Sequence, residues 1–298
     1  MTWILLSTIS YFLNALVAII DKFLISKKIP EPIVYTFYIG ILSIFSFILI
    51  PFGKIFFPSF SYLIISFITG ILFMVALFSF FKSLKNNESS RVIPLIGTLT
   101  TIFSIFLSLF ILDEKLSQTK ILAIIFLLSG SLIISLIKKE KKSFISDRFY
   151  VFSSSLFFSI SFVLSKIIYS NLSFINGFIW IRIGSFIFAF SLLLFPKIKK
   201  MIIDSLKETK QEISLLFLSN QGISAVAFLI LNLAIFFGSV SLVNALQGLQ
   251  YVFILLISIL ISKKYPSFLK EEIKKEIIFQ KSLAILLIVI GFFILSFF

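Results

Sequence analysis

Residues 92–112 read VIPLIGTLTTIFSIFLSLFIL, a run that carries no charged side chain from end to end. At about 1.5 Å of helical rise per residue it reaches ~30 Å, the thickness of a bilayer's hydrocarbon core. Similar runs recur along the whole chain. The spacing predicts ten spans, at about 2–20, 33–52, 60–81, 92–112, 119–137, 149–170, 175–195, 213–233, 240–261 and 281–298. The two-residue alternation of a membrane barrel is missing, and isolated strands in lipid would leave backbone groups unpaired, so all ten are read as helices. The expected fold class is an all-α integral membrane protein of ten transmembrane helices.

Composition agrees. The 298 residues are 59% hydrophobic and 13% charged, with a mean hydropathy of +1.14. Soluble domains are roughly half apolar and a quarter charged. The first segment has no preceding basic residue and ends in Asp21-Lys22 rather than a small-residue cleavage site, so it is read as a span and not a signal peptide. Cysteine and histidine are both absent, which removes disulfides, thiol catalysis and the usual zinc and haem ligand sets. No cofactor, metal site or catalytic residue is expected, and an intramembrane enzyme lacks its acid, base or metal cluster.

The net charge of +14 sits almost wholly between spans. Nucleic-acid binding needs a continuous basic face, and there is no soluble domain to carry one. The expected partners are a small-molecule solute and the lipid bilayer, with a homodimer as the candidate assembly and no nucleic acid. Twenty-two of the 27 Lys and Arg residues fall in or beside the loops after spans one, three, five, seven and nine. By the positive-inside rule that side is cytoplasmic, which places both termini outside a cell membrane. Two inter-span stretches have helical charge periodicity. Beyond Ser267, Leu269, Ile273 and Ile277 alternate with lysine and glutamate, as in an interfacial helix. The stretch from Lys197 to Glu212 is a weaker case, read as a solvated connector.

The halves match each other. At an offset of 144, Lys22 falls on Lys166 and Gly40 on Gly184; at 151, Ala76 falls on Ala227. The second offset also carries Ser90, Val92, Leu95 and Gly97 onto Ser241, Val243, Leu246 and Gly248. Beyond the longer insertion, Lys120, Ala123 and Gly130 fall on Lys281, Ala284 and Gly291. The expected organisation is a first five-helix repeat at 1–142 and a second at 143–298. Five is odd, so the second half inserts upside down, an arrangement common in secondary transporters.

These residues carry a family resemblance. Lys22 and Lys166 stand at membrane edges. Ser90-Arg91-Val92-Ile93-Pro94-Leu95 opens span four, and Leu112-Asp113-Glu114-Lys115-Leu116-Ser117 closes it, with aspartate where glycine is usual. Val240-Ser241-Leu242-Val243-Asn244-Ala245 is similar to the second-half copy of the opening, while Lys263-Lys264-Tyr265-Pro266 lacks the closing glutamate. The chain resembles the EamA-like, ten-helix branch of the drug/metabolite transporter superfamily. The resemblance implies a central cavity walled by spans one, three, four, six, eight and nine. It also implies export or exchange of small metabolites such as amino acids, sugars or nucleotide sugars. Many characterised members have cytoplasmic termini, whereas the charge count here points the other way; the count is followed.

Polar residues within spans are costly, and each has a functional and a structural reading. Arg182 lies about 12 Å into span seven by helical rise, and its repeat counterpart is Tyr38. It is either a site for an anionic group or a cation paired with carbonyls or the interface. Lys22 and Lys166 either snorkel to headgroups or face the cavity from opposite sides. Span nine has a stripe of Asn244, Gln247, Gly248 and Tyr251, and span eight has Gln221 and Asn232 with Asn220 beside them. Spans one, four and six contribute Asn14, Thr98 and Ser159. The candidate solute-binding set is thus Asn14, Lys22, Thr98, Ser159, Lys166, Arg182, Gln221, Asn232, Asn244, Gln247 and Tyr251. Amides there either bind a solute or glue helices together. All thirteen carboxylates lie at span edges or in loops, so a facilitator or exchanger is favoured over a proton antiporter, unless Asp21 or Glu114 points inward. An amino acid-like or anionic solute is favoured, because the only deep charge is positive. The alternative function is a membrane scaffold without transport, which would show no central cavity.

Overall fold

A computed structural model describes residues 1–29, 31–87, 89–135, 145–264 and 275–297. Twelve helices are α1 (Thr2–Lys27), α2 (Pro32–Leu42), α3 (Phe60–Asn86), α4 (Ser89–Ile111), α5 (Gln118–Ser135), α6 (Ile145–Asn171), α7 (Phe174–Ser191), α8 (Pro196–Glu208), α9 (Gln211–Phe237), α10 (Val240–Ala245), α11 (Gly248–Lys264) and α12 (Lys275–Phe297). Ten stretches of them are long and apolar enough to cross a membrane. The protein is a multi-pass, all-α protein of the cell membrane.

Several spans depart from the expected form. α1 continues seven residues past Ile20, which moves Asp21 from the edge of its helix into the interior. The second span changes at Ser43 from α2 to a 3-10 helix running to Phe52. Pro51 has no amide hydrogen to extend an α-helix there. Span nine is two helices, with a 3-10-type turn at Leu246 and Gln247 in which Gln247 and Leu249 amides donate to the Asn244 and Leu246 carbonyls. The Asn244 carbonyl also accepts from Thr101 Oγ1 (2.9 Å), so the break is paid for by a side chain of α4. The stretch from Lys197, expected as a connector, is α8. Its Ile198, Met201 and Ile202 pack on the bundle, while Ile203 and Leu206 are exposed beside lysines, the arrangement of a helix in the membrane interface. The second amphipathic stretch, beyond Ser267, falls mainly outside the described residues.

Small residues set the helix crossings. α3 crosses α7 at Gly70 and Gly184. A methyl group on Gly70 would fall on the Ile181 carbonyl and 2.6 Å from the Ser185 nitrogen, and one on Gly184 would lie 2.6 Å from the Phe67 carbonyl oxygen. Ser185 Oγ donates across the same crossing to the Gly70 carbonyl. α5 crosses α12 in the same manner, with Gly130 against the Ala284 carbonyl and Gly291 against that of Ala123. In lipid, such close backbone approach is what holds helices together.

Several contacts recur as matched pairs, the serine pair joining residues 1–142 to 143–298 and the lysine pair lying within each stretch. Ser10 Oγ donates to the Ala227 carbonyl (2.8 Å) and Ser154 Oγ to that of Ala76 (3.1 Å). Lys22 Nζ donates to the carbonyls of Leu84, Lys85 and Asn87 at the end of α3. Lys166 Nζ donates to those of Ile235, Phe236 and Gly238 at the end of α9. The two serines and the two lysines stand 144 residues apart, and every pair of acceptors 151 apart.

The closing motif of span four has a local cause. Asp113 has φ of +50°, the left-handed region that favours glycine but tolerates aspartate. That turn presents Glu114, whose carboxylate accepts from Ser239 Oγ and from Ser241 Oγ (3.0 Å) at the start of α10.

Candidate solute-binding cavity

The bundle encloses a cavity of about 440 Å³, within the range of small-molecule sites. Its walls come from α1, the second span, α3, α4, α6, α7, α9 and the α10–α11 break. Most of the lining is phenylalanine and aliphatic, and a few polar groups converge on it.

Arg182 reaches the cavity from α7, where the glycine crossing brings that helix against α3. Nη2 donates to Ser43 Oγ (2.5 Å), the first residue of the 3-10 stretch. The guanidinium carbon lies 5.8 Å from the Phe73 ring centroid and 5.2 Å from that of Phe228, so two aromatic faces hold the cation. Among the described residues no carboxylate lies within salt-bridge distance of it. A guanidinium has five donors in a fork suited to a carboxylate or phosphate, and among the described residues one hydrogen bond uses them.

Asp21 is 6% exposed and lines the same cavity. Its Oδ1 accepts from Tyr35 Oη (2.5 Å) and Asn220 Nδ2 (2.6 Å). Asp21 is thus the inward-pointing exception among the carboxylates, and the preference for a facilitator over a proton antiporter does not follow. α1 is longer than its hydropathy suggested, because Asp21-Lys22 is carried as helix between polar partners. Asp21→Ala would leave the Tyr35 hydroxyl and the Asn220 amide unpaired, with an expected cost of about 1–3 kcal/mol in thermal or denaturant unfolding. An unchanged midpoint would show that the cluster does not stabilise the fold.

Of the candidate residues, Asn14, Arg182, Gln221, Asn244 and Gln247 line the cavity. Asn14 and Asn244 are tied to Ser10 and Ser104. Gln221 Nε2, Ser46 Oγ and Thr100 Oγ1 are buried in the walls with no partner among the described residues. The other candidates stand elsewhere. Thr98 and Ser159 donate to their own helix backbones at Pro94 and Leu156. Asn232 accepts from Tyr169 Oη (2.8 Å) and donates to the Phe228 carbonyl. Tyr251 is buried behind the cavity against Gly97, because the turn before α11 breaks the stripe it shared with Asn244.

Lys22 and Lys166 are also outside the lining: each holds three carbonyls at a helix C-terminus, which needs a cation to complement its dipole. Lys166→Met is expected to cost about 1–2 kcal/mol of stability while leaving ligand affinity unchanged. A loss of affinity without loss of stability would return Lys166 to the binding site.

Sequence reading missed Ser43, Tyr35 and the phenylalanine cage. In a chain with 41 phenylalanines no periodic signal separates those around a cavity from those facing lipid. Asn220 was placed on a stripe beside Gln221, and its partner Asp21, 199 residues away, carried no local cue.

Comparison with known proteins adds to this geometry. Residues 1–136 match the EamA-like transporter family. A solved structure described only as the crystal structure of a protein aligns with 99% of this chain and 95% of its own, with a TM-score of 0.68 and 15% identity. That likeness is one of fold. No curated protein matches the chain in sequence.

Proposed function

We propose that the protein is a secondary carrier of small organic solutes that holds an anionic group of its solute at Arg182. The likeness of the first half to EamA-like transporters supports a general transport role. The observation that carries the finer reading is a guanidinium in a cavity, held by aromatic faces and one hydroxyl, with its remaining donors unmatched by any carboxylate among the described residues. Gln221, Asn244 and Gln247 line the same cavity and supply amide groups around a bound solute. A scaffold has no use for such a cavity.

In this reading the chain comprises two inverted five-helix repeats, 1–142 and 143–298, and access alternates as their packing exchanges. The matched serine and lysine contacts support that division. The Lys- and Arg-rich ends face the cytoplasm and both termini face out. The test is counterflow in proteoliposomes: unlabelled carboxylates trapped inside should accelerate uptake of a labelled one, such as benzoate. No acceleration across a panel of carboxylates, with phosphates and neutral solutes equally inert, would remove the carrier reading.

A further inference from the structure

We infer that the solute is an amphipathic anion, a carboxylate on an apolar body, which reaches Arg182 sideways from the bilayer through a gap between α9 and the 3-10 half of the second span. The inference rests on the reading of Arg182 given above. Phe45 and Ile48 form one edge of the gap and Val226 the other. All three line the cavity, yet they are 60%, 65% and 51% exposed. Residues that face both a cavity and the outside mark an opening.

The depth of the opening says what lies outside it. Phe45 and Ile48 fall within the span Pro32–Phe52, and Val226 falls near the middle of the span Gln211–Phe237. Val226 and Phe45 stand at hydrocarbon depth, with Ile48 four residues from the end of its span, so the gap opens onto acyl chains below the headgroups.

The gap is also bounded. Towards the start of both spans, the Tyr35 and Tyr38 rings pack against Phe217 at 5.1 and 5.7 Å and close the space between α2 and α9. Higher up, the second span leans instead on α7, while α9 packs chiefly on α1. The pair that the repeat relates to it, α3 and α7, is sealed by its glycine crossing. One side of the cavity is therefore shut by backbone contact and the other stands open to lipid.

The interior suits a solute from that source. Behind the gap the walls are Phe73, Phe80, Phe158 and Phe228, with the guanidinium of Arg182 beyond the first of these. A strongly hydrated anion would have to shed its water and cross an apolar threshold to reach that charge. An amphipath already in the membrane carries its chain in lipid throughout, and only its head group needs the guanidinium. Counted from water, its apolar chain is buried in the bilayer and the gap, so affinity against the aqueous concentration should rise with chain length.

The experiment uses the full chain in nanodiscs of zwitterionic lipid, with thermal unfolding as the readout and hexanoate, octanoate and decanoate as probes. Benzoate and lactate serve as anions without a chain, and decanamide and decyltrimethylammonium as chains without a negative charge. Affinity should tighten roughly fourfold per added methylene, vanish for both uncharged and cationic chains, and weaken on the order of 10- to 100-fold in Arg182→Met. Val226→Trp, which fills the gap, should weaken decanoate at least tenfold, whereas Leu215→Trp, also exposed on the same helix but outside the cavity lining, should not. In a stopped-flow binding measurement, Phe45→Ala should speed decanoate association, a change that a folding defect would not produce. If benzoate or lactate binds through Arg182 while chain length and the gap variants change nothing, lateral access is wrong and the Arg182 site stands. If decanoate acts equally on Arg182→Met, the chain is merely dissolving in the bilayer and the inference falls. If no carboxylate acts on the wild type, both readings fall together.

Discussion

Replacing Gly70 with leucine is expected to lower stability by about 3 kcal/mol or more, as overpacking does when backbone cannot yield. The neighbours that a side chain would meet are the Ile181 carbonyl, the Ser185 nitrogen and the Gly184 carbon, all main chain of α7. No rotamer of a new side chain avoids them, so α3 and α7 must separate. Separation would also break the hydrogen bond from Ser185 to the Gly70 carbonyl. The control is Gly222→Leu on α9, where nothing lies within 4 Å of the added carbon. There the helix gains propensity, roughly 0.8 kcal/mol, and the expected change is neutral to favourable. Unfolding of both variants in one detergent decides the matter. Equal midpoints for the two would mean that α3 does not lie against α7 as described.

Arg182→Met is expected to do two opposite things. It removes a cation whose only hydrogen bond within the described protein is to Ser43 and which sits between two phenylalanine rings. Burying a charge without a carboxylate partner is unfavourable, and methionine fills similar volume without that penalty. The ligand-free variant should therefore be more stable than wild type by about 1–3 kcal/mol. At the same time it should lose carboxylate binding by on the order of 10- to 100-fold, the worth of a charge-assisted hydrogen-bond pair. Arg182→Lys should retain part of the affinity, since it keeps the charge but not the planar fork. A structural arginine gives the reverse pattern, with stability falling and binding following it down. Stability gained with function lost is the signature of a site held against the interests of the fold.

How much of this was legible in the sequence depended on the range of each signal. Hydropathy is local, so ten spans could be read off directly, and a charge as rare as Arg182 stood out within one of them. Lys22 and Lys166 were visible as a matched pair, but not what they do, because their acceptors lie more than sixty residues away at the ends of α3 and α9. The break in span nine had a clue in Gly248, yet it depends on Thr101 accepting the role of a missing backbone partner. Asp21 was misplaced for a related reason: a helix edge drawn by hydropathy stops at the first charge, whereas the helix itself continues when Tyr35 and Asn220 supply partners. Aspartate in place of glycine at 113 was visible as a departure, and the positive φ there explains why few residues would serve.

The most direct test of the central claim is thermal unfolding of the purified protein against charge-matched pairs, each a carboxylate and its isosteric amide, on wild type and Arg182→Met. A ligand that binds only the folded state raises its stability by mass action. Carboxylates should stabilise wild type, their amides should not, and neither should act on Arg182→Met. Stabilisation by the amides as well, or carboxylates that work equally on the methionine variant, would contradict an anion site at Arg182.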